Sequence, residues 1–540
     1  MKIRIPDITT VTFADTEMIL DTTLGFEGGA VSYRQGDGLT VSVRSRIHGI
    51  RYISMRWNHP ISGDVKVLGD EWERGYGHMA WLPVDPDRPL PWYMAISNGT
   101  DSCLDYSGRV TQCWGVGVLP NVFAMWTCDG EGVTLTLDLR CGGVALELRE
   151  RELECVTVFA EEYRGVSAYR AVEAFCGVLS PNPLQTDHPI YGANNWYYAY
   201  GNSSHEQIIE DTKLVTELCR GNANRPYMVI DDGWQLNRVD APWDGGNPRF
   251  PDMGRLANEI KELGAIPGIW VRYLINGHKG VRPVDTFPEE WYMSRSKNVL
   301  DPSHPEVLEY VRQTTKRFLD WGYRLIKHDY TFIDIIGKHG LFCDKFPLCD
   351  DEDWAFYDRS KTTAEIIKNL YTEIYHASEG AVIIGCNTVG HLCAGIHHCN
   401  RTGDDTSGRI WIRTLCLGVN SLAFRGPQNR HFFATDADCV GIMGTIDWKY
   451  NRQWLKLLSC SGSPLFVSCK PGIINESEKN DLREAYTVGS LQADELIPLD
   501  WMETSYPARY LLNGQEISFD WGPDLEALLT VYATKPCPYN

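Results

Sequence analysis

Two short polar segments follow apolar runs in the second half of the chain, and both carry aspartate. Lys327-His328-Asp329 closes the run 323–326, which has the length and composition of a short buried strand. Arg401-Thr402-Gly403-Asp404-Asp405 follows a second such run, 381–386, after one loop. If both segments point into one cleft, two carboxylates face a single bond, which is the minimal equipment for cleaving a glycoside. Lys327 would lie on the same side of the strand as Asp329 and keep that carboxylate ionised.

The elements that must position these residues alternate between strand and helix from about residue 189 onward. The predicted strands are 190–200, 227–231, 265–271, 323–327, 381–386, 421–424 and 464–468, with helices predicted after 203 and over 254–263, 305–321 and 362–376. Such alternation is what a (β/α)8 barrel requires. A doubly wound open sheet is the competing interpretation, but no Gly-rich phosphate loop follows the first strand.

The flanking regions are typical of β-structure. Residues 1–185 hold short alternating runs separated by Gly, Asp and Pro turns, which predicts an N-terminal β-sandwich. Residues 186–482 form the predicted barrel. Residues 483–540 return to strand-like runs around Asn513-Gly514, a strong hairpin signal, and predict a small C-terminal β domain. The sequence therefore predicts a multidomain protein of sandwich, barrel and cap.

Composition narrows the class of protein. The 540 residues are 43% hydrophobic and 23% charged, which is ordinary for a globular protein and too long for one core. The net charge of −20 argues against nucleic acid and anionic membranes as partners and leaves a neutral sugar possible. The 17 scattered cysteines, an N-terminal stretch without a secretory pattern and the lack of an apolar run of membrane-spanning length predict a cytoplasmic protein.

Polar groups recur where the predicted barrel strands end. In this architecture, functional residues lie at the carboxyl ends of the strands. In chain order, these ends carry Asn194-Asn195-Trp196, Asp231-Asp232-Gly233-Trp234, Trp270, Lys327 to Asp329, Cys386-Asn387, Arg401 to Asp405, and Asp436-Ala437-Asp438. A purely structural barrel has no need of so many acids after apolar strands.

Each motif also has a structural interpretation. Asp231 to Trp234 could form a turn, Lys327 and Asp329 an ion pair, and Asp404-Asp405 a helix N-cap. The histidines resemble metal ligands in isolation, as does an acidic loop with cysteines; these residues are His391, His397, His398, Cys343 and Cys349 to Asp353. The cysteine spacing is not that of a zinc site, and such histidines are more often loop or core residues. We therefore expect no metal and no cofactor.

The motif order resembles glycoside hydrolase clan D. A strand ending in Asp-Asp-Gly-Trp, then Lys-x-Asp, Cys-Asn, Arg-Thr-Gly-Asp-Asp and Asp-x-Asp is similar to the α-galactosidases and α-N-acetylgalactosaminidases of families 27 and 36, and to raffinose synthases. The resemblance covers roughly residues 190–470. In outline, the flanking β domains match family 36.

The resemblance implies a retaining mechanism. Asp329 would be the nucleophile and an Asp of the second segment the acid and then the base, with the two carboxyls roughly 5 to 5.5 Å apart. Alignment to the family 36 pattern Trp-Thr-Ser-Asp selects Asp404, which we favour, whereas counting from the Arg as in family 27 selects Asp405. Chemically, the acid needs a raised pKa and the nucleophile a low one.

The resemblance also implies a sugar-binding set. Asp231 and Asp232 would bind the axial O4 and O6, with Trp234 stacked beside the sugar and Lys327 on a hydroxyl. Cys386 or Asn387 would lie near O2. The remaining residues expected to bind substrate are Trp196, Trp270, Arg401 and Asp438.

Several positions depart from the family patterns. Cys-Ser-Gly-Gly-Gly is replaced by Cys386-Asn387-Thr388-Val389-Gly390, and Trp of the acid segment by Arg401. Asp-Pro-Asp-Met is replaced by Asp436-Ala437-Asp438-Cys439. These changes bear on the identity of the sugar more than on the reaction type. In family 36 a sandwich loop reaches the barrel mouth, so Trp72 or Arg74 could line the aglycone side; a simple sandwich turn is the alternative.

Three functions remain open from the sequence. The first is a retaining, exo-acting α-glycosidase of the α-galactosidase or α-N-acetylgalactosaminidase type. The second is a transglycosylase on the same scaffold, and the third is a non-catalytic sugar-binding protein, against which the paired acids argue. All three predict an oligosaccharide or α-glycoside as the partner, and a homo-oligomer is compatible with each.

Overall fold

The structure is a computed structural model, and it describes residues 2–100, 105–236, 242–277, 287–338, 346–350, 353–491 and 495–522. None of the helices in these ranges has the length and apolar composition needed to cross a bilayer.

The N-terminal region forms two antiparallel sheets, as the alternating pattern predicts. Their strands are β1 (Ile8–Phe13), β2 (Glu17–Ile19), β3 (Gly25–Phe26), β4 (Gly29–Gln35), β5 (Leu39–Ser45), β6 (Ile50–Asn58), β7 (Val65–Gly69), β8 (Leu90–Pro91), β9 (Tyr93–Asn98), β10 (Val110–Val116), β11 (Phe123–Asp129), β12 (Gly132–Asp138) and β13 (Glu152–Arg164). The sheet orders are β2-β1-β6-β12-β11-β8 and β3-β4-β5-β13-β10-β9-β7. Trp57, Trp114 and Trp126 pack together in the sandwich core.

The central region is a parallel barrel. Its strands are β14 (Tyr191–Asn194), β15 (Tyr227–Ile230), β16 (Ile266–Val271), β17 (Leu325–His328), β18 (Val382–Gly385), β19 (Cys399–Arg401), β20 (Ala434–Asp436), β21 (Val440–Ile442) and β22 (Leu465–Cys469). They are ordered β20-β19-β18-β17-β16-β15-β14-β22-β21. Because β20 and β21 stand at opposite ends of this order yet are joined through residues 437–439, the sheet closes on itself, and these two strands are one interrupted seventh strand.

The first helix precedes the barrel and packs on β10 and β13 of the sandwich, whereas the later helices alternate with the barrel strands. The helices are α1 (Ala168–Leu179), α2 (Trp196–Ala199), α3 (His205–Leu218), α4 (Met253–Glu262), α5 (Pro305–Trp321), α6 (Thr331–Ile336), α7 (Thr363–Ala377), α8 (Gly390–Cys393), α9 (Trp411–Thr414), α10 (Asn420–Arg425), α11 (Trp448–Cys460) and α12 (Glu476–Gly489). Their ends carry ordinary signals: α5 starts at a proline and ends at Gly322 with φ 108°. Thr362 and Glu365 form a capping box on α7.

Three sequence-based element predictions are wrong. Residues 421–424 belong to α10, at the end of a helical stretch that includes a π-helix over Leu415–Val419. A four-residue apolar run fits a buried helix as well as a strand, so periodicity could not separate them. The actual sixth and seventh strands, β19 and β20, are three residues long and too short to show a pattern. The predicted strand 190–200 stops at Asn194 and continues as α2.

The C-terminal sheet confirms the hairpin signal. Strands β23 (Leu496–Pro498), β24 (Arg509–Leu512) and β25 (Gln515–Ser518) pair in sequence order. Asn513 and Gly514 link the last two strands, both with positive φ (50° and 78°), as a two-residue hairpin loop requires. Helix α12 runs across the predicted boundary at 482/483, so the C-terminal β-structure begins after that helix.

Candidate active site

Asp329 follows β17 and is surrounded by hydrogen-bond donors. One carboxylate oxygen accepts from the Asn387 side-chain amide at 2.5 Å and from the Tyr330 backbone N–H at 2.7 Å. The other accepts from the Trp270 indole N–H at 3.1 Å. These donors come from the ends of three neighbouring strands, β16, β17 and β18. The pairing register of these strands therefore brings the three donors to the Asp329 carboxylate.

Cations complete the environment of Asp329. Burial alone would raise the pKa of this carboxyl, but the charges of Lys327 and Arg74, together with the hydrogen bonds from Asn387 and Trp270, outweigh it and hold the pKa below its usual value. The residue is 7% exposed. Asp329 is therefore an ionised carboxylate with little freedom to move, which suits a nucleophile.

Lys327 bridges the fourth and second strands. Its ammonium group lies 2.7 Å from the Asp231 carboxylate. Burial would lower the pKa of Lys327, but the charge of Asp231 outweighs it and raises that pKa well above its ordinary value. Asn194 donates a second 2.7 Å hydrogen bond to the same Asp231 oxygen, and the Asp231 backbone N–H donates to the Asn195 side chain. Lys327 thus forms its ion pair with Asp231 and not with Asp329. The charge of Lys327 still lowers the pKa of Asp329.

The turn after β15 presents Asp232 to the barrel mouth. Gly233 has φ 107°, and a Cβ there would lie 2.5 Å from the backbone of Gly201, so only glycine fits. The Gln235 side chain donates to Asp232 at 2.7 Å. Asp232 is partly exposed whereas Asp231 is 3% exposed. Of the pair, Asp232 is therefore the one more open to a ligand.

The second acidic segment pairs with a loop of the sandwich. The Gly75 backbone N–H donates to the Thr402 carbonyl at 2.8 Å, and the Asp404 backbone N–H donates to the Gly75 carbonyl at 3.2 Å. Gly403 allows this approach, since a Cβ there would lie 1.9 Å from the Leu417 carbonyl oxygen. The sandwich loop thus reaches the barrel mouth, as the resemblance to family 36 implied.

Arginines hold both carboxylates of this segment. The Arg74 guanidinium lies 2.9 Å from one oxygen of Asp404, and the Arg413 guanidinium lies 3.3 Å from the other. Asp405 has one oxygen 3.2 Å from Arg401 and 3.8 Å from Arg74. Burial would raise the pKa of Asp405, but the charges of Arg401 and Arg74 outweigh it and the pKa is lowered. The raised pKa expected of an acid is therefore not found at Asp405.

Arg401 is the centre of a buried polar cluster. Besides Asp405, its guanidinium lies 3.3 Å from Asp438 and 3.8 Å from the Cys386 sulfur. The other Asp438 oxygen accepts hydrogen bonds from the Thr406 backbone and hydroxyl and from the Tyr197 hydroxyl. Arg401, Asp438 and Cys386 are each at most 3% exposed. This buried cluster holds Asp405 in place through Arg401. Little of the surface of the cluster is open to a substrate.

The backbone is strained at three of the strand ends. Tyr330, Asn387 and Asp438 have positive φ values of 64°, 51° and 76°, immediately beyond the fourth, fifth and seventh strands. Non-glycine residues adopt this conformation at a cost and only where the surroundings impose it. Two of the three contact Asp329, and the third contacts Arg401, so the strain coincides with the acids.

The tryptophans differ from their expected roles. Trp234 is fully buried between Trp243, Phe318 and Trp321, and its indole N–H donates to the Trp270 carbonyl at 2.9 Å. This placement corrects the expectation that Trp234 stacks on a sugar: its ring supports the third strand from below. Trp196 is partly exposed and contacts Tyr200, so it alone of the expected aromatic residues keeps an open face.

Trp72 also lies away from its expected place, whereas Arg74 contacts the acidic segment. Trp72 is 2% exposed and packs on Trp92, Phe123 and Phe346, so it lies in the core rather than at the aglycone side. Arg74 joins the acidic segment as described above. Sequence reasoning missed Glu73 and Arg413. The expectation for Trp72 and Arg74 pointed to the loop but not to which acid on it is buried, and Arg413 lies in a stretch with no site signal.

The histidines considered as metal ligands have other contacts. His391 stacks on Trp92 and lies 2.7 Å from the Val116 carbonyl, and His398 accepts from the Ile383 backbone N–H. His397 lies 3.1 Å from the His328 ring, and burial lowers the pKa of His328 to about 4. The described residues bring no three metal-ligating side chains together. Cys343, Asp351 and Glu352 of the acidic loop lie outside the described residues.

Solved structures of α-galactosidases share the fold. That of Thermus thermophilus matches with a TM-score of 0.56 at 15% identity, over 91% of this chain and 99% of that one. A glycoside hydrolase family 36 α-galactosidase from Geobacillus stearothermophilus matches with a TM-score of 0.60 at 15% identity, over 89% and 70%. The Lactobacillus brevis α-galactosidase gives 0.60 at 12%, over 90% and 73%. No protein-family model matches the sequence.

Proposed function

We propose that the chain is a retaining, exo-acting α-glycosidase of the α-galactosidase type. The observation that carries the proposal is the environment of Asp329. A buried carboxylate with a lowered pKa, fixed by the side chains of Trp270 and Asn387, lies in a barrel mouth that also holds Asp404 and Asp405. The shared fold of family 36 α-galactosidases supports the reaction class.

The proposed reaction has two displacements. A carboxylate oxygen of Asp329 attacks the anomeric carbon while the glycosidic C–O bond breaks, and the leaving oxygen takes a proton from an acid of the second segment. That acid then removes a proton from water, whose oxygen attacks the anomeric carbon and releases Asp329. The first step consumes the negative charge of Asp329, and the cations around it favour the release of the carboxylate in the second step.

The acid and base role is proposed for the Asp404–Asp405 pair. Alignment favours Asp404, whose two oxygens each meet an arginine. Geometry offers an argument for Asp405: its side chain is 33% exposed, and one of its oxygens has no partner among the described residues, so it could carry a proton to a ligand. The neighbouring guanidinium groups favour the ionised form of either acid. We therefore expect the acid to gain its proton when the substrate displaces an arginine from it.

The substrate proposal rests on hydroxyl-binding groups and on the neighbours. Asp232 and Lys327 are the partly open polar groups on the second and fourth strands, and an acid and an ammonium suit sugar hydroxyls. Structures of the neighbours contain stachyose and raffinose. We therefore propose an α-galactoside of an oligosaccharide as the substrate class. The cytoplasmic location expected from the cysteine pattern stays a prediction.

The test is hydrolysis of a panel of aryl α- and β-glycosides by the wild type and by Asp329→Ala. We expect activity on an α-galactoside that the variant loses and that azide restores as the β-glycosyl azide. Asp252→Ala, which removes a helix-capping aspartate of α4, is the control and should not respond to azide. Product analysis at high sugar concentration separates hydrolysis from glycosyl transfer.

Two outcomes contradict the proposal. No turnover of any glycoside by the wild type would remove the enzyme assignment and favour a sugar-binding role. Turnover by Asp329→Ala at the wild-type rate would leave the glycosidase activity in place but remove Asp329 as its nucleophile.

A further inference from the structure

Glu73 is a buried acid that the proposed reaction does not use. It lies on the sandwich loop that reaches the barrel mouth and is 1% exposed. One of its carboxyl oxygens accepts a hydrogen bond from the Tyr76 hydroxyl. The other oxygen, Oε2, is buried and has no hydrogen-bond partner among the described residues. Buried carboxylates are rarely left in this way, because an unpaired charge in the interior is costly.

The nearest cation to this oxygen is the neighbouring guanidinium group. Arg74 Nε lies 4.0 Å from Glu73 Oε2 and likewise lacks a hydrogen-bond partner within the described part of the chain. The far side of the same guanidinium contacts Asp404 at 2.9 Å and Asp405 at 3.8 Å. The Arg74 guanidinium therefore lies between Glu73 and the two acids. It contacts the acids but forms no hydrogen bond with Glu73.

A protonated Glu73 explains this gap. An ionised carboxylate 4.0 Å from an N–H of an arginine would close to hydrogen-bond distance, whereas a carboxylic acid whose O–H faces that N–H would not, because two donors do not bond. Asp70, three residues earlier, supplies a geometric contrast: burial raises its pKa too, to about 6, yet it lies 2.8 Å from Arg425 and accepts from Gln428.

The groups around Glu73 act on its protonation in both directions. Burial raises the pKa of the Glu73 carboxyl to about 7; Arg74 and the hydrogen bond from Tyr76 oppose the rise, and the charges of Asp404 and Asp329 add to it. The Tyr371 hydroxyl on α7 is hydrogen-bonded to Thr331 and Val389, and the charge of Glu73 has a small effect on its pKa. Burial and the charges of Asp404 and Asp329 thus outweigh Arg74 and favour the neutral acid up to about neutral pH.

We propose that Glu73 is a positioning residue that acts through Arg74. As a neutral acid it leaves the guanidinium group on Asp404 and Asp405. When it loses its proton to solvent, its anion draws Arg74 Nε toward Oε2, which loosens the hold on both acids and adds a negative charge beside Asp329. The inference rests on the proposed function, and it predicts that activity declines on the alkaline side when Glu73 ionises.

The first test is the pH profile of kcat/KM on the α-galactoside. Glu73→Gln keeps the shape and the acceptor for Tyr76 but cannot ionise. We expect the alkaline limb of the wild type to move up by at least about one pH unit in this variant, in keeping with the removal of a group whose pKa is about 7. Glu71→Gln is the matched control, since Glu71 lies on the same loop, is paired with His78 at 2.9 Å, and should leave the limb in place.

The second test needs no substrate. Infrared difference spectra recorded across the pH range should show the C=O band of a buried carboxylic acid that disappears around pH 7 in the wild type and in Glu71→Gln, and that is missing in Glu73→Gln. Bands of Asp70 and Asp211, whose pKa values burial raises to about 6, should be the same in all three proteins and cancel when the spectra of Glu73→Gln are subtracted. If no glycoside is turned over, the proposed function fails, but this titration still decides the state of Glu73. The absence of the band in the wild type, its persistence in Glu73→Gln, or an alkaline limb unchanged in Glu73→Gln would each overturn the inference.

Discussion

Replacing Trp270 by Phe removes one of the three hydrogen bonds that hold Asp329. The indole N–H donates to the carboxylate at 3.1 Å, and a benzyl side chain keeps most of the aromatic packing but cannot donate. The carboxylate would keep the charge of Lys327 and the donors of Asn387 and Tyr330. The ionised form of Asp329 is therefore less stable than in the wild type but is still reached at higher pH. The change should appear in the acid limb of the pH profile of kcat/KM.

The size of the change follows from the strength of the bond. A hydrogen bond to a charged group contributes about 1.5–3 kcal/mol, and one pH unit corresponds to about 1.4 kcal/mol. Asp329 must be ionised to act as a nucleophile, and the loss of a donor raises its pKa. We therefore expect the acid limb of kcat/KM in Trp270→Phe to move up by about one to two pH units, with a smaller change at the optimum.

A neighbouring tryptophan supplies the control. Trp243 packs edge-on against Trp270 and is equally buried, and its indole N–H has no hydrogen-bond partner among the residues that the structure describes. Trp243→Phe therefore removes the same atoms from the same aromatic cluster without removing a bond to Asp329. If the acid limbs of Trp270→Phe and Trp243→Phe coincide, the argument that the indole stabilises the ionised Asp329 carboxylate is wrong.

Three further predictions concern charged residues of the site and its surroundings. Because the folded-state pKa of Glu73 is raised from 4.5 to about 7, its contribution to stability is complete below pH 4.5 and is lost as the pH rises through 7. This contribution amounts to about 3 kcal/mol. The free energy of unfolding in urea should therefore fall with pH over this range in the wild type and fall less steeply in Glu73→Gln. Alanine variants of Asp404 and Asp405 should separate their roles: the acid–base variant keeps turnover of aryl glycosides with acidic phenols, loses alkyl glycosides, and forms the α-glycosyl azide, whereas equal behaviour on both leaving groups excludes the residue. Lys327→Met should destabilise the protein by about 3–5 kcal/mol in urea unfolding, because it leaves Asp231 buried without its cation; adding Asp231→Asn should recover part of the loss, and simple additivity of the two changes would contradict the coupling.

The sequence predicted the architecture correctly where an element was long enough to show a periodic pattern of apolar residues. The alternating runs of the sandwich, the strands ending at Ile230, Val271 and His328, and the Asn513-Gly514 hairpin are all present. It failed for β19 and β20, where three-residue strands carry no periodicity, and for 421–424, where a short apolar run is helical. Local patterns report local structure, and very short elements depend on the neighbours with which they pair.

Where a barrel strand carries a readable apolar run, the sequence by itself determined which residues end it, because side chains directly after such strands must reach the same edge of a parallel barrel. Only the tertiary structure decided what each of them does there. Lys327 pairs with Asp231 rather than Asp329, Trp234 is buried, and Glu73 of the sandwich loop lies behind Arg74, which contacts Asp404 and Asp405 from a distant part of the chain. Burial and through-space charge set these roles, and neither can be read from spacing along the chain, since both depend on which distant groups the fold brings within a few ångströms.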